Sequence, residues 1–189
     1  MTTGQGSESA LATEASGDQL LVFSADEAAI VEAAAARIFP TTDTPGAREA
    51  GVIHYIDRTL KDHYPKQIAS YRDGCAAIDR HAGMTFGRSF IALTPDEQDA
   101  VLIDFDKGRV PDFEDAKDFF ALLRKHTMEG VFCEPIYGGN RGLVGWRLVG
   151  FPGQQFGYDD PYINRPVDIE PVALNAPFSQ QEALDVERR

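Results

Sequence analysis

The chain has little cysteine, no long apolar run and no excess of basic charge. Its 189 residues include only two cysteines, Cys75 and Cys133, too few for a disulfide framework or a cysteine-only zinc site. No stretch of about 18 apolar residues occurs, so we expect no membrane-spanning helix. The 30 acidic residues outnumber the 18 basic ones, and the formal net charge is −12. Because phosphate backbones and anionic lipid headgroups repel such a polyanion, we expect neither nucleic-acid nor membrane-surface binding.

The rest of the composition, 43% hydrophobic and 25% charged, is that of one folded domain with tails. Residues 1–19 consist largely of Ser, Thr, Gly, Ala and Glu, and we predict a disordered tail there. They have neither the basic region nor the apolar region that a secretory signal contains, and they have no twin-arginine pair. The chain as written is therefore expected to be cytoplasmic. We assign residues 20–130 to a helical domain and residues 131–189 to a C-terminal arm.

Capping signals mark the starts of two helices. Ser24 and Glu27 have the spacing of a capping box ahead of an apolar stripe that Pro40 ends. Thr94 and Glu97 have the same spacing around a proline at the first helical position. Both patterns satisfy backbone N–H groups at a helix start, so they predict where these helices begin.

Apolar spacings of three and four residues predict three further helices. The second helix is expected over residues 47–64, and the third follows Pro65 and ends at Gly83. The last long helix is expected to begin at a capping Asp112 and to end at Gly130. The sequence therefore predicts an all-α fold of about five helices with a long irregular C-terminal arm.

The arm differs from the helical domain in composition. The 60 residues from Gly130 onward hold 8 of the 17 glycines and 6 of the 11 prolines, and no helical or alternating period persists. They also hold eight aromatic residues, whereas disordered tails are usually poor in aromatics. These residues are Phe132, Tyr137, Trp146, Phe151, Phe156, Tyr158, Tyr162 and Phe178. We therefore predict that the arm docks on a partner protein.

Candidate catalytic groups are sparse. The four histidines lack the i, i+4 spacing of a helical zinc site, and we interpret them as solvated or capping residues. They are His54, His63, His81 and His126. His126 is expected near the C-terminus of its helix, where a cation interacts favourably with the helix dipole. Cys75 fits a core stripe, Cys133 has no basic neighbour to activate it, and a disulfide between them stays open. Gly138 and Gly139 fit no phosphate-binding fingerprint and predict a tight turn.

Carboxylates on the second and third helices are the remaining candidates for catalysis. We expect them to form a solvated face. They are Asp57, Asp62, Asp73 and Asp79. We therefore predict no catalytic, cofactor-binding or metal-binding residue in this chain.

Several segments, in order and spacing, resemble the gluconate 2-dehydrogenase subunit 3 family. Together they cover roughly residues 24–155. They read PGAREAGV (45–52), YID (55–57), FIALTPDEQ (90–98), FFALL (119–123), HT (126–127), GVF (130–132), PIYGGN (135–140), GW (145–146) and GFPG (150–153).

The resemblance implies a non-catalytic small subunit of an FAD-dependent sugar, sugar-acid or glycoside dehydrogenase. In this family the FAD and the active-site histidine belong to a large flavoprotein subunit of the glucose-methanol-choline (GMC) type, and some complexes add a cytochrome c subunit. Aromatic anchors commonly dominate interfaces, so we expect five arm residues at the large-subunit interface. They are Phe132, Tyr137, Asn140, Trp146 and Phe151. The alternative is that Trp146 and Tyr137 pin the arm onto the chain's own helices.

Other functions and another location stay open. The chain could be a folding or export chaperone that releases its client, or a stand-alone enzyme that uses helix carboxylates. Many members of the family begin with a twin-arginine signal, so a periplasmic protein, exported with a partner or with its signal removed, is the alternative to a cytoplasmic one. The resemblance places substrate contacts mostly in the large subunit, so it specifies neither the sugar nor the electron acceptor.

Overall fold

A computed structural model describes residues 19–153 and 170–173, and this part of the chain contains six α-helices and no β-strand. The helices are α1 (Ala25–Ile38), α2 (Val52–Asp62), α3 (Ile68–Phe86), α4 (Pro95–Asp106), α5 (Ala116–Phe132) and α6 (Val144–Val149). Single-turn 3₁₀ helices occupy Pro65–Gln67, Phe90–Ala92, Pro135–Tyr137 and Arg141–Leu143. The all-α prediction is confirmed: α1 to α5 are the long helices, and α6 is a short one that was not predicted. The predicted tail up to residue 18 and the arm aromatics Phe156, Tyr158, Tyr162 and Phe178 lie outside the described residues.

Helix α5 is the central element, because it contacts each of the other five α-helices. Aromatic rings fill the core around it. Phe119 of α5 meets Tyr71 of α3 edge-on, with ring centroids 5.6 Å apart, and lies 6.2 Å from Phe105 of α4. All three side chains are buried, and removal of such apolar surface from water is the main force that holds the helices together. No helix in the described part of the chain has the length and apolarity needed to span a bilayer.

Both predicted capping boxes are present. The hydroxyl of Ser24 accepts a hydrogen bond from the backbone N–H of Glu27, whose carboxylate accepts one from the Ser24 N–H at 2.8 Å. Thr94 and Glu97 make the same reciprocal pair at the start of α4. Local sequence therefore predicted these two helix starts correctly.

The predicted ends of the second and third helices are wrong by several residues. Helix α2 begins at Val52 instead of residue 47, because Gly51 takes the left-handed conformation with φ 68° after a turn. Helix α2 ends at Asp62 instead of residue 64. Helix α3 continues through Gly83 to Phe86, and Gly87, at φ 71°, ends it. Gly83 is exposed within the helix, where a glycine costs some stability without stopping the helix.

Both predicted ends of the last long helix are also wrong. Asp112 has φ 57° and lies outside the helix, which begins after Asp115. The helix continues past Gly130 to Phe132. A Cβ at Gly130 would lie 3.1 Å from the Tyr55 ring, so the glycine there allows α2 to approach closely. Gly130 therefore serves helix packing and is not a terminator.

The predicted solvated carboxylate face is wrong for Asp57. Its side chain is 2% exposed and accepts hydrogen bonds from three successive backbone N–H groups, those of residues 21–23, at 2.6, 2.9 and 2.9 Å. Asp79 likewise accepts a hydrogen bond from the Phe90 N–H at 2.8 Å. Asp62 and Asp73 are exposed, as expected. Two of the four carboxylates therefore anchor chain segments to the bundle.

Candidate partner-binding surface

Residues of the arm cap the C-terminal end of α5. The last carbonyls of an α-helix have no partner within the helix, so other groups must satisfy them. The backbone N–H of Asn140 donates to the Gly130 carbonyl at 2.8 Å, and its side-chain amide donates to the Cys133 carbonyl at 2.9 Å. The indole N–H of Trp146 donates to the Phe132 carbonyl at 2.8 Å. These three bonds fix the start of the arm on the central helix.

Glycines allow this close contact between the arm and α5. A Cβ at Gly139 would lie 2.2 Å from the Gly130 carbonyl oxygen, and one at Gly145 would lie 2.1 Å from that of Val131. Gly138 has φ 99°, so the tight turn predicted at the glycine pair is confirmed. The conspicuous glycines of the arm therefore have a packing role.

The five predicted interface residues divide into buried and exposed ones. Asn140 is fully buried and Trp146 is 4% exposed, whereas Tyr137 is 51% and Phe151 42% exposed. Phe132 is half-buried. Trp146 makes the intramolecular contacts that the alternative reading expected, and it meets the Phe151 ring edge-on at 4.9 Å. That these residues lie at a partner interface stays a prediction.

Exposed apolar side chains concentrate on the arm. Of the eleven large hydrophobic side chains that are exposed in the described residues, five lie within residues 136–151. These five, here called the arm surface, are Ile136, Tyr137, Leu148, Val149 and Phe151. Because large exposed apolar patches mark protein-interaction sites, these five side chains are the candidates for contact with a partner.

The sequence analysis missed Ile136, Leu148 and Val149 because it looked for aromatic anchors in an irregular arm. The signal was present in the sequence of α6. Leu148 follows Trp146 by two positions, so in a helix it lies on the opposite side from the buried indole. Recognising α6 would have predicted that Leu148 is exposed.

A cleft of about 510 Å³ lies beside the arm surface. Its lining includes Tyr55 and Tyr64, Glu129 and Phe132 of α5, and Tyr137 of the arm. The Tyr55 hydroxyl donates to the Glu129 carboxylate at 3.2 Å. Burial, with the nearby negative charge of Glu129, raises the pKa of Tyr55 to about 12, so this phenol stays protonated.

Cysteine chemistry receives no support from the structure. Cys133 lines the cleft, but burial raises the pKa of its thiol to about 11. Cys75 is a core residue as predicted, and burial raises its pKa to about 12. Both are free thiols in the structure, and the protonated form is a poor nucleophile.

The interpretation of the histidines as solvated or capping residues is wrong for His126 and His81. His126 is fully buried, with its Nδ1 3.0 Å from the Tyr71 hydroxyl and its ring stacked on Tyr64 at 5.6 Å. Burial lowers the pKa of His126, so it is a neutral core residue. His81 is 6% exposed and its Nε2 lies 3.0 Å from an Asp104 carboxylate oxygen. Among the described residues, no group of three or more His, Cys, Asp or Glu could hold a metal ion.

The fold and surface define a helical bundle whose arm caps the central helix and exposes apolar side chains. A family model described as Gluconate 2-dehydrogenase subunit 3 matches residues 25–153, which include all six α-helices. The chain belongs to this family, which implies a subunit of a multi-subunit dehydrogenase complex, an oxidoreductase. No curated protein and no solved structure gave a match.

Proposed function

We propose that this chain is the non-catalytic small subunit of an FAD-dependent sugar, sugar-acid or glycoside dehydrogenase. In this proposal it binds and stabilises a large flavoprotein subunit of the GMC type, and FAD and the active-site histidine belong to that subunit. A cytochrome c subunit accepts the electrons in complexes that contain one. The chain itself then holds no cofactor and carries no catalytic residue.

The arm surface is the observation that supports this proposal. Its five apolar side chains lie on a segment whose buried residues are hydrogen-bonded to α5, so the segment is ordered before a partner binds. Binding to an ordered segment costs less conformational entropy than binding to a disordered one. We expect an obligate interface above about 2,000 Å² in total.

Purification from the native host tests the proposal. The full chain should co-purify with a yellow flavoprotein in a fixed ratio, and the two should stay together through gel filtration. The chain alone should be colourless and should reduce no dye in the presence of sugars. A complex that dissociates once the flavoprotein has folded would favour a chaperone, and dye reduction by the chain alone would favour a stand-alone enzyme.

A pair of matched variants tests the role of the arm surface. Val149→Asp places a charge on this surface, where Val149 is 60% exposed, and Ile103→Asp places one on α4, where Ile103 is 51% exposed. Because burying an unpaired carboxylate in an interface is costly, Val149→Asp should reduce co-purified flavoprotein about tenfold or more. Ile103→Asp should leave it nearly unchanged. Equal yields from the two variants would contradict the proposed surface.

A further inference from the structure

The cleft beside the arm, here called the arm cleft, combines aromatic walls with carboxylates. Four aromatic side chains line its volume of about 510 Å³, together with two glutamates. The aromatic residues are Tyr55, Tyr64, Phe132 and Tyr137, and the glutamates are Glu129 and Glu134. The faces of aromatic rings attract cations, and carboxylates pair with them. The arm cleft therefore has the chemistry of a site for a positively charged side chain.

A lysine of the chain already occupies the edge of this site. The Lys125 ammonium lies 5.9 Å from the Tyr64 ring centroid and 3.7 Å from a Glu129 carboxylate oxygen. The second distance is too long for a hydrogen bond, and the Lys125 side chain is 58% exposed, so it is held loosely. A better placed cation can replace it at Glu129, whose side chain is 35% exposed.

The walls of the arm cleft are fixed by contacts outside it. His126, which is buried, stacks against the Tyr64 ring with an angle of 18° between the planes. The Arg58 guanidinium donates to the Ile136 carbonyl at 2.9 Å, which ties the turn that carries Tyr137 to α2. Because the Tyr64 ring and the backbone of the turn that carries Tyr137 are held in place, a bound side chain would not have to order them, and this favours binding.

We infer that the arm cleft receives an arginine side chain from the large flavoprotein subunit. A planar guanidinium can stack on a tyrosine ring while it donates two parallel hydrogen bonds to a carboxylate such as Glu129, which an ammonium cannot do. The chain's net charge of −12 favours a partner that is basic where the two meet. Tyr137 belongs to both the arm surface and the arm cleft, so a partner that contacts this residue can reach both features. This inference rests on the proposed function.

Measurement of the affinity of the full-length chain for the purified flavoprotein, at low and high salt, tests the inference. Glu129→Gln keeps the size of the side chain and an acceptor for Tyr55 but removes the charge. It should weaken binding about tenfold at low salt and should make the affinity less dependent on salt. The matched control is Glu114→Gln, which removes an exposed carboxylate just before the N-terminus of α5, at the other end of the helix from the cleft. It should change the affinity for the flavoprotein little.

Substitutions of Tyr137 separate ring stacking from apolar contact. Tyr137→Phe keeps the ring face and should bind within about twofold of the native chain, whereas Tyr137→Leu should bind about fivefold more weakly. Circular dichroism and thermal unfolding confirm that each variant is folded. If Glu129→Gln and Tyr137→Leu both bind normally, the arginine assignment is wrong while the proposed subunit role stands. If the native chain binds no flavoprotein, the proposed function and this inference both fail.

Discussion

Asp57 holds an N-terminal segment that has no secondary structure of its own. The carboxylate belongs to α2, and its three donors lie 34 to 36 positions earlier in the chain. Three backbone N–H groups converge on one carboxylate, and hydrogen bonds to charged acceptors are stronger than neutral ones. Phe23, in the same segment, is buried, and its ring is tilted by 59° against that of Tyr71 with the centroids 5.5 Å apart. The Asp57 carboxylate therefore contributes to stability, although a buried carboxylate is commonly taken as a sign of catalysis.

Replacement of Asp57 should destabilise the fold. Asp57→Asn keeps the shape of the side chain but replaces one accepting oxygen with an NH2 group, which can only donate. At least one of the three backbone N–H groups then loses its partner, so we expect the free energy of unfolding to fall by about 2 kcal/mol. Urea unfolding followed by circular dichroism measures the change. Asp62→Asn, at the exposed end of the same helix, is the control and should stay within about 0.5 kcal/mol of the native chain. Equal effects at both positions would show that the three hydrogen bonds contribute nothing.

Helix α3 contains two glycines with opposite surroundings. A Cβ at Gly74 would lie 2.4 Å from ring carbons of Phe119, so this glycine sets how closely α3 and α5 approach. A Cβ at Gly83 would meet nothing within 4 Å. Both residues follow the same helical pattern, and only the position of α5 distinguishes them.

Alanine substitutions at these two glycines should change stability in opposite directions. Gly83→Ala should raise the free energy of unfolding by about 0.5–1 kcal/mol, because alanine loses less backbone entropy in a helix and meets no clash. Gly74→Ala should lower it by about 1–3 kcal/mol, because the buried Phe119 ring has to move. Thermal and urea unfolding of both variants measure the difference. Stabilisation by Gly74→Ala would mean that α3 and α5 can separate at little cost.

The pH dependence of stability reflects how the bundle surrounds His126. Tyr71 of α3 contacts one ring nitrogen, and Tyr64 stacks on the ring. Burial lowers the pKa of His126 from its usual 6.5, the negative charge of Glu129 opposes part of that shift, and the positive charge of Lys125 adds to it. The unfolded chain therefore binds a proton at a higher pH than the folded chain does. Below about pH 6.5 this difference in proton binding destabilises the fold, by up to about 1.4 kcal/mol per pH unit.

Removal of the imidazole should weaken this dependence. As the pH falls from about 7 to about 5, the free energy of unfolding should decrease less steeply in His126→Phe than in the native chain. The reason is that no buried imidazole remains to be protonated. The slope is the relevant quantity, since the variant also loses the partner of the Tyr71 hydroxyl and should be less stable at every pH. Urea unfolding across this pH range gives the comparison. Parallel curves for the two proteins would show that His126 contributes nothing to the acid sensitivity.

The sequence by itself determined the helical class and the helix starts that depend on local contacts. Ser24 with Glu27, and Thr94 with Glu97, bond to backbone groups three residues away, so neighbouring residues were sufficient to predict them. The sequence alone also carried the family resemblance, through the order and spacing of short segments between residues 45 and 153. For the candidate site, the sequence singled out Tyr137 and Phe151, and both are exposed. That they lie at a partner interface stays a prediction.

Tertiary structure decided the roles of glycines, acids and histidines whose neighbours are distant in sequence. Gly130 allows the approach of α2 instead of ending α5, and Trp146 caps α5 instead of facing outward. Asp57 and His126 are buried because residues from other segments cover them. A local pattern shows which bonds a side chain can make, but burial and packing depend on which remote segments fold against it.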